Sequence, residues 1–572
     1  MNVAEYIVRA LRDQGVDRLF MDPGGLNDAF MAPMTETDGV HTVVAAFEGG
    51  AAYMADGYAR ATGNLGVCFG IGGPGILNMV TALAAAKADQ SPVLAISGEV
   101  PRSWEGLGAF QDASGAAIDD LDVLKPVTSS SIAVTAASLI PHHLRHAVTE
   151  AMVRRAPVHL SVPVDVQQHE LDADWVPVPR ALTDAAFVDE TSMAALVHLL
   201  AGAAGRGTVV VLAGPGVLRS GAADALRRFA ERFDVPVATT LSAKGALVED
   251  HPLALGVFGY GGSRRAIDAV RAADVDVLLV LGSGLSQRDT MQWDPTMLPQ
   301  RALVHVERDP LMIGRTWPSE LPLVGDSGVV LERLASLDGP AATALDAGRA
   351  QRRAFLAHID AAGPRVERVE DTTSDAVPMH PARVVTELRA AFPDDGVLCV
   401  DSGAHRAWFA EYWTVRAPGA HLSLTNLGPM GGAIPLAIGA QLARPESRVM
   451  VATGDGCMLM HGMELHTAAR EQAPIIMALM DNQAYGNIWY RAHALGAGPE
   501  HLTDIHGVDW VGFARSLGAE AERVEHPGDI GPAVERALAA TGPVLLDLRI
   551  DKTYPTPVSA WRARQAEWQD HE

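Results

Sequence analysis

The chain has 572 residues, of which 48% are hydrophobic and 20% charged, and this length suits three or four domains. Its formal net charge of -24 argues against nucleic acid and anionic membrane surfaces as partners, and an anionic ligand would need local positive groups. It contains no stretch of 18 or more uninterrupted apolar residues, so we expect a cytoplasmic protein with no membrane partner.

Residues 1–171 alternate amphipathic helices with short apolar strands, a pattern that predicts a parallel sheet with helices on both faces. Glu48 lies between one of these strands and a helix of small residues, where the helix dipole alone would stabilise its charge. A glycine- and proline-rich loop follows at 72–75, and Gln111 stands in the sequence GAFQD. The predicted strands are residues 18–21, 43–46, 65–70, 93–96 and 158–162.

The middle of the chain contains a second predicted α/β unit at residues 191–337, after a polar linker at 172–190. The phrase Gly214-Pro215-Gly216 resembles a dinucleotide-binding loop after a strand. No acidic residue stands at the distance that a nicotinamide site requires, so we assign this domain a structural role. Residues 340–378 are predicted to be a long connector with one helix. The predicted strands of the unit are residues 208–212, 277–281 and 303–306.

The third predicted α/β domain, residues 379–572, contains a motif suited to a metal-bound diphosphate. A strand at 448–452 leads to Asp455, which stands between two glycines that let the backbone approach a phosphate, and a helix from about residue 460 points its N-terminus at the anion. A strand at 475–480 then leads to Asn482, whose side-chain carbonyl can lie beside the Asp455 carboxylate. Magnesium prefers such hard oxygens, and the backbone carbonyl of Ala484 is a candidate third ligand.

This arrangement of strand, Gly-Asp-Gly, helix, strand and Asn resembles the signature of thiamine diphosphate enzymes, and the resemblance covers nearly the whole chain. It implies an α/β fold of three doubly wound parallel-sheet domains: a pyrimidine-side domain (1–171), a central domain (191–337), and a diphosphate- and magnesium-binding domain with a C-terminal tail (379–572). It implies thiamine diphosphate and Mg²⁺ as cofactors. It also implies a homodimer or homotetramer, because in this family the active site forms between the pyrimidine-side domain of one subunit and the diphosphate-side domain of another.

The resemblance assigns roles to individual residues. Glu48 would bond the aminopyrimidine ring and favour the tautomer whose nitrogen removes the C2 proton, and Gln111 matches an active-site glutamine of acetolactate synthase and its relatives. Met430 would force the cofactor into its V shape, and the Gly428 carbonyl would accept a hydrogen bond from the exocyclic amine. The other predicted cofactor contacts are Gly25, Pro74, Asn78, Ser402, Gly403, Ala404, His405, Gly454, Gly456, Cys457, Tyr485 and Gly486, and the metal ligands are Asp455, Asn482 and Ala484.

Within the family, the residues favour the acetolactate synthase-like branch. Gly25 stands where benzoylformate decarboxylase would have a serine, and the segment around Gln111 lacks the paired histidines of pyruvate decarboxylases. Arg491 stands where the biosynthetic synthase has a tryptophan that selects the second oxo acid, which leaves the substrate open. We therefore predict a thiamine diphosphate-dependent carbon-carbon lyase or carboligase that acts on a small 2-oxo acid. FAD is expected to be absent or non-catalytic.

Two alternatives remain at this point. A 2-hydroxyacyl-CoA lyase would release formyl-CoA and a carbonyl compound from an acyl-CoA substrate, and basic residues could then bind CoA phosphates unless they only form a solvated face. A catalytically silent regulatory paralogue would have no reason to keep Glu48, Asp455, Asn482 and Met430 together. The candidate substrate or CoA contacts are Tyr260, Arg264, Arg265, Arg491 and the tail around Trp561, Arg562 and Arg564.

Overall fold

Three six-stranded sheets, all of parallel strands, follow one another along the chain. The structure is a computed structural model and describes residues 1–184, 186–202, 208–496, 498, 500–558 and 561. Helices cover both faces of each sheet, so the predicted α/β class with three doubly wound parallel sheets is confirmed. No helix in these described ranges combines the length and apolar character needed to cross a membrane.

The first sheet has the strand order β2-β1-β3-β4-β6-β5. Its strands are β1 (Arg18–Met21), β2 (His41–Val44), β3 (Gly66–Ile71), β4 (Val93–Glu99), β5 (Ser130–Ala133) and β6 (Val158–Pro163). Its helices are α1 (Val3–Asp13), α2 (Asp28–Glu36), α3 (Glu48–Thr62), α4 (Pro74–Asn78), α5 (Val80–Ala88), α6 (Asp120–Leu124), α7 (Ile140–Arg154) and α8 (Val164–Gln167). A short helix, α9 (Arg180–Thr183), lies in the predicted linker.

The central sheet has the order β12-β11-β10-β7-β8-β9, which is the arrangement of dinucleotide-binding domains. Its strands are β7 (Thr208–Ala213), β8 (Val237–Thr239), β9 (Ala254–Val257), β10 (Val275–Leu281), β11 (Ala302–Glu307) and β12 (Leu321–Val324). Its helices are α10 (Glu190–Ala201), α11 (Pro215–Arg219), α12 (Ala223–Phe233), α13 (Arg264–Val270) and α14 (Ser327–Ala335). The connector was predicted to contain one helix, which is wrong, since it forms α15 (Gly339–Ala347) and α16 (Arg349–Ala361).

The third sheet, β14-β13-β15-β16-β18-β17, repeats the topology of the first. Its strands are β13 (Val397–Val400), β14 (His421–Ser423), β15 (Val449–Gly454), β16 (Ile476–Asp481), β17 (Glu520–Val524) and β18 (Val544–Arg549). Its helices are α17 (Pro381–Ala391), α18 (Ala404–Tyr412), α19 (Ala433–Ala443), α20 (Asp455–His461), α21 (Glu464–Arg470), α22 (Gly486–Ala494), α23 (Glu500–Thr503), α24 (Trp510–Ser516) and α25 (Ile530–Ala539).

The first and third sheets share one hydrophobic core, which is centred on the contact between α3 and α19. Glycines allow the two helix backbones to touch. A Cβ on Gly57 would lie 2.0 Å from the Leu436 carbonyl oxygen, and a Cβ on Gly439 would lie 2.0 Å from the Met54 carbonyl oxygen. The packing fixes α3, which begins at Glu48, directly against the third domain.

Candidate active site

A cavity of about 250 Å³ lies at the carboxyl ends of β13, β15 and β16. The chain crosses from one side of the sheet to the other between β13 and β15, and ligands of open α/β sheets bind at such a switch point. The cavity brings together every residue predicted for the diphosphate side and the metal. These residues are Ser402, Gly403, Ala404, His405, Gly428, Met430, Gly454, Asp455, Gly456, Cys457, Asn482, Ala484, Tyr485 and Gly486.

Three helices begin at this cavity, with their first residues at Ala404, Asp455 and Gly486. Their backbone N–H groups and positive dipole ends favour a negatively charged ligand. The sequence prediction placed the helix start near residue 460, which is wrong, because α20 begins at Asp455 and ends at His461. The helical turn therefore begins directly at the strand end and lies closer to an anion than predicted.

Residue 456 has to be a glycine, because there is no room for a side chain at this position. A Cβ at this position would lie 2.4 Å from Cε1 of Tyr485 and 2.8 Å from Cε of Met430. Any larger residue would push these two side chains out of position, and both line the cavity. The glycine thus lets the start of α20 lie close to the cavity and to Met430.

Asp455 is almost fully buried, and both of its carboxylate oxygens accept hydrogen bonds. Oδ1 accepts from the Trp510 indole N–H at 3.2 Å, and Oδ2 accepts from the Asn482 backbone N–H at 3.1 Å. Burial and the neighbouring Asp481 carboxylate raise the pKa of Asp455. A divalent cation would offset this repulsion, and the carboxylate, the Asn482 amide oxygen and the Ala484 carbonyl together make a hard-oxygen donor set that fits magnesium.

Sequence reasoning missed two residues that support this cavity. Trp510 is 55 positions from Asp455, and only the fold of α24 brings the indole to the carboxylate. Asp401 is fully buried at the end of β13, where Oδ1 accepts from the backbone N–H groups of Ser402 at 2.8 Å and Gly431 at 2.9 Å. It therefore ties the loop after β13 to the loop that carries Met430. The sequence did offer a signal for Asp401, because this residue directly precedes Ser402, a predicted cofactor contact.

His405 and Lys552 are two nitrogen-bearing side chains that line the cavity. Burial lowers the pKa of His405 to about 3, so the imidazole is neutral and its Nε2 has no partner among the described residues. Lys552 also lines the cavity, and its ammonium group lies 2.9 Å from the Asp504 carboxylate. Lys552 was not predicted, since it follows β18, a strand that the sequence pattern did not identify.

The predicted pyrimidine-side residues lie at the carboxyl ends of strands in the first sheet. Glu48 is the first residue of α3, and its Oε2 accepts from the Asn78 side-chain amide at 3.0 Å. Pro74 begins the same short helix, α4, that ends at Asn78. Gly25 begins a short turn after β1. Neither Glu48 nor these neighbours line the cavity around Asp455 within one chain.

Gln111 lies in a loop with exposed apolar side chains. Its backbone is in the left-handed region, with φ of 60°, and Leu107 and Phe110 nearby are 79% and 85% exposed. Like Glu48, Gln111 does not line the cavity around Asp455 within one chain. The loop therefore presents Gln111 together with apolar surface that this single chain leaves uncovered.

Tyr260, Arg264 and Arg265, which were candidate CoA contacts, form other contacts within the chain. Arg264 donates to the Pro364 carbonyl at 2.9 Å, and Arg265 pairs with Asp360 at 2.7 Å. Both arginines thus hold the connector against the central domain, and neither lines the cavity around Asp455. The Tyr260 ring packs edge-on against Trp561 at 5.6 Å. Arg562 and Arg564 lie outside the described residues.

Arg491, predicted as a substrate contact, belongs to helix α22. Its side chain is exposed and does not line the cavity, whereas Asn487, Ile488 and Tyr490 of the same helix do. Other residues of α22 therefore lie nearer to the cavity around Asp455 than Arg491 does. Its predicted contact with substrate is not tested by this geometry.

Models of three domain families match successive parts of the chain. The thiamine pyrophosphate enzyme N-terminal TPP binding domain matches residues 1–119, the central domain matches 193–334, and the C-terminal TPP binding domain matches 401–548. The chain belongs to the thiamine pyrophosphate enzyme family. The predicted family membership is therefore confirmed, and with it a thiamine diphosphate-dependent enzyme.

Similar proteins in the family carry the name acetolactate synthase. A probable acetolactate synthase large subunit of Methanocaldococcus jannaschii is 34% identical over 98% of this chain and 93% of that protein. The corresponding protein of Methanococcus aeolicus is 33% identical over 96% of this chain and 92% of its own length. The acetolactate synthase large subunit of Corynebacterium glutamicum is 32% identical over 96% of this chain and 86% of that protein. This thiamine pyrophosphate enzyme is therefore acetolactate synthase-like.

Proposed function

We propose that this enzyme joins two small 2-oxo acids with loss of carbon dioxide, as an acetolactate synthase does. The observation that carries the proposal is the cavity around Asp455, with its hard-oxygen set, three helix N-termini and Met430, in a chain similar to acetolactate synthases over nearly its full length. Arg264 and Arg265 are engaged within the protein, so a CoA-dependent lyase has no comparable support.

Residues of the chain would act on the cofactors in two groups. Asp455, Asn482 and Ala484 would hold Mg²⁺ against the diphosphate, while the neutral His405 and the start of α18 would contact the phosphate oxygens. When bound, thiamine diphosphate would supply a carbanion that adds to a carbonyl carbon, and its positively charged thiazolium ring would accept the electron pair that decarboxylation leaves behind. Glu48 would hold the proton that the aminopyrimidine ring needs to activate the cofactor.

The activity test uses purified enzyme with thiamine diphosphate, magnesium and pyruvate. We expect acetolactate and carbon dioxide in equal amounts, which mass spectrometry and a coupled carbon dioxide assay measure. The same assay with 2-hydroxyacyl-CoA substrates should yield no formyl-CoA. Activity that requires added FAD would contradict the prediction that FAD is absent or non-catalytic. Formation of formyl-CoA without acetolactate would reject the proposed function.

We propose that the complete site forms between two subunits. Phe47, beside Glu48, packs against His461 at a ring distance of 5.8 Å, and the flanking Met460 and Met463 are 51% and 53% exposed. Phe47 is itself 38% exposed, and exposed apolar side chains of this kind mark protein–protein interfaces. Pairing of two copies there would cover the apolar side chains and seal the site from water. The arrangement suits a homodimer, or a homotetramer of two such dimers.

Mixing two inactive variants tests this arrangement. Glu48→Gln and Asp455→Ala should each be inactive alone, but mixed dimers would contain one site in which both residues are intact. After dissociation and reassociation, we expect roughly a quarter of the wild-type activity, since about half of the dimers are mixed and each keeps one site of two. A mixture of Glu48→Gln with the wild-type enzyme, dissociated and reassociated in the same way, controls for activity that the treatment itself destroys. No recovery of activity would place the whole site in one chain.

Arg491→Ala addresses the substrate contact predicted from the sequence. An arginine suits a carboxylate through paired hydrogen bonds, and losing such a contact costs about 1.5 to 3 kcal/mol, or about ten- to a hundredfold in the apparent substrate constant. Cofactor affinity should not change. Arg515→Ala, a change of the same kind on α24, is the control. Steady-state kinetics with each active substrate measure the effect, and constants equal to those of wild type would make Arg491 a surface residue.

A further inference from the structure

The chain leaves the metal edge of the cavity through α22 and returns to it after α23. We call residues 486–503 the α22–α23 segment. Its two ends pair as a short antiparallel ladder with two backbone hydrogen bonds. Tyr485 N–H donates to the Thr503 carbonyl at 2.8 Å, and Ile505 N–H donates to the Gln483 carbonyl at 2.8 Å. The segment therefore begins and ends beside the proposed magnesium ligands.

This ladder orients the backbone of Ala484. Ala484 lies opposite Asp504, and the two hydrogen bonds are made by the residues on either side of this pair. In such a non-hydrogen-bonded pair, the N–H and C=O groups of the paired residues point away from the ladder. The Ala484 N–H accordingly donates to Oδ1 of Asn482 at 3.1 Å. The Ala484 carbonyl therefore points to the same side as the Asn482 amide oxygen, the other neutral oxygen proposed to bind magnesium.

Little apolar packing holds the α22–α23 segment in place within one chain. No residue of α22 is buried in the described chain, and Leu495 and Leu502 are 87% and 71% exposed. Most helices in proteins are stabilised mainly by burying an apolar face. The position of the ladder therefore depends on polar contacts.

Lys552 supplies such contacts from the chain that follows β18. Its ammonium group lies 2.9 Å from each carboxylate oxygen of Asp504 and 5.2 Å from the centre of the Trp489 ring. The side chains of Asp504 and Lys552 are 9% and 25% exposed, so water and salt screen this ion pair less than an exposed one. One side chain thus contacts both the returning end of the α22–α23 segment and its first helix.

We propose, on the basis of the magnesium site in the proposed function, that Lys552 positions the ligand Ala484 through its ion pair with Asp504. The ion pair fixes Asp504, and the ladder fixes Ala484 opposite it. Magnesium requires near-ideal octahedral geometry, so a displaced carbonyl ligand would weaken its binding. Groups that orient a metal ligand without touching the metal commonly change metal affinity in this way. Lys552 is therefore a positioning residue.

Lys552→Met removes the charge and keeps an unbranched side chain. We expect the magnesium concentration needed for half-maximal binding of thiamine diphosphate to rise about tenfold. Binding should recover at saturating magnesium, where kcat should change far less than the apparent magnesium constant. Lys552→Arg keeps the charge and should restore most of the magnesium affinity. Titration calorimetry and steady-state kinetics are the measurements, and an unchanged magnesium requirement in Lys552→Met would overturn the proposal.

Asp504→Asn separates positioning from a direct contact between Lys552 and the diphosphate. The variant keeps the ammonium group at the cavity and removes the ion pair. Positioning predicts the same rise in the magnesium requirement as in Lys552→Met, with no further rise in the double variant, because both changes break one interaction. A direct contact with the phosphate would leave Asp504→Asn with wild-type or higher cofactor affinity, and that result would overturn the proposal.

Lys125→Met is the matched control. Lys125 pairs with Asp122 outside the cavity around Asp455, so this variant should require magnesium like wild type. If thermal unfolding shows that Lys552→Met does not fold, Asp504→Asn decides. Unchanged cofactor binding in Asp455→Ala would reject the magnesium site itself. Weakened binding in Asp455→Ala with wild-type behaviour in Lys552→Met and Asp504→Asn would reject only the role of Lys552.

Discussion

Asp455→Ala is expected to abolish binding of thiamine diphosphate with magnesium, and all turnover with it. The Asp455 carboxylate is the one charged group in the proposed set of magnesium ligands. Replacing a residue that only orients a metal ligand typically weakens metal binding about ten- to a hundredfold, and the loss of Asp455 itself should weaken magnesium binding by well over that factor. The apo protein should remain folded, because the substitution removes a buried carboxyl group whose pKa is raised by burial and by the neighbouring Asp481. Calorimetric titration of the cofactor measures the effect, and unchanged affinity would reject the metal site.

Trp510→Phe tests the same site and should have a smaller effect than Asp455→Ala. Phenylalanine keeps an aromatic ring against Phe513 and removes the N–H that donates to Asp455, together with part of the buried indole ring. We expect magnesium affinity to fall about tenfold, as for other outer contacts that orient a ligand, with cofactor binding recovered at higher magnesium. An effect as large as that of Asp455→Ala would indicate a folding defect, which circular dichroism and thermal unfolding would reveal. No effect would show that the indole does not orient the carboxylate.

Glu48→Gln is expected to separate cofactor binding from cofactor activation. Glutamine keeps the size of the side chain and can remain bonded to Asn78, so thiamine diphosphate should still bind. It cannot hold the proton at the aminopyrimidine ring, so deuterium exchange at C2 of the bound cofactor should slow by about a hundredfold or more. Rapid-quench exchange followed by NMR measures this rate.

Glu464→Gln is the matched control for Glu48→Gln. Glu464 is a buried carboxyl beside the same helix, where Oε2 accepts from the Ala46 backbone N–H at 3.2 Å and a Cβ on Gly50 would lie 1.8 Å from Oε1. Burial raises its pKa to about 7, so glutamine resembles its protonated form. We expect near wild-type exchange at C2. Slow exchange in Glu464→Gln together with normal exchange in Glu48→Gln would transfer the role to Glu464.

Local pattern identified the central strands of each sheet and the metal motif. Strands β7, β10, β15 and β16 are buried on both faces, so they appear as continuous apolar runs. Edge strands lack this signal: β5 reads SSIA and is only partly buried, and β12, β14 and β17 lie at sheet edges as well. The strands that the sequence pattern missed are mostly edge strands, although the buried interior strands β8 and β18 were also missed.

The sequence alone determined the α/β class and the residues around the Gly-Asp-Gly motif, because strand, turn and helix there are contiguous and their spacing fixes their geometry. Only the tertiary structure decided which distant groups meet. It brought Trp510 to Asp455 and Lys552 to Asp504. It also left Glu48 away from the Asp455 cavity within one chain. Such contacts depend on how the sheets pack, and no local periodicity encodes that packing.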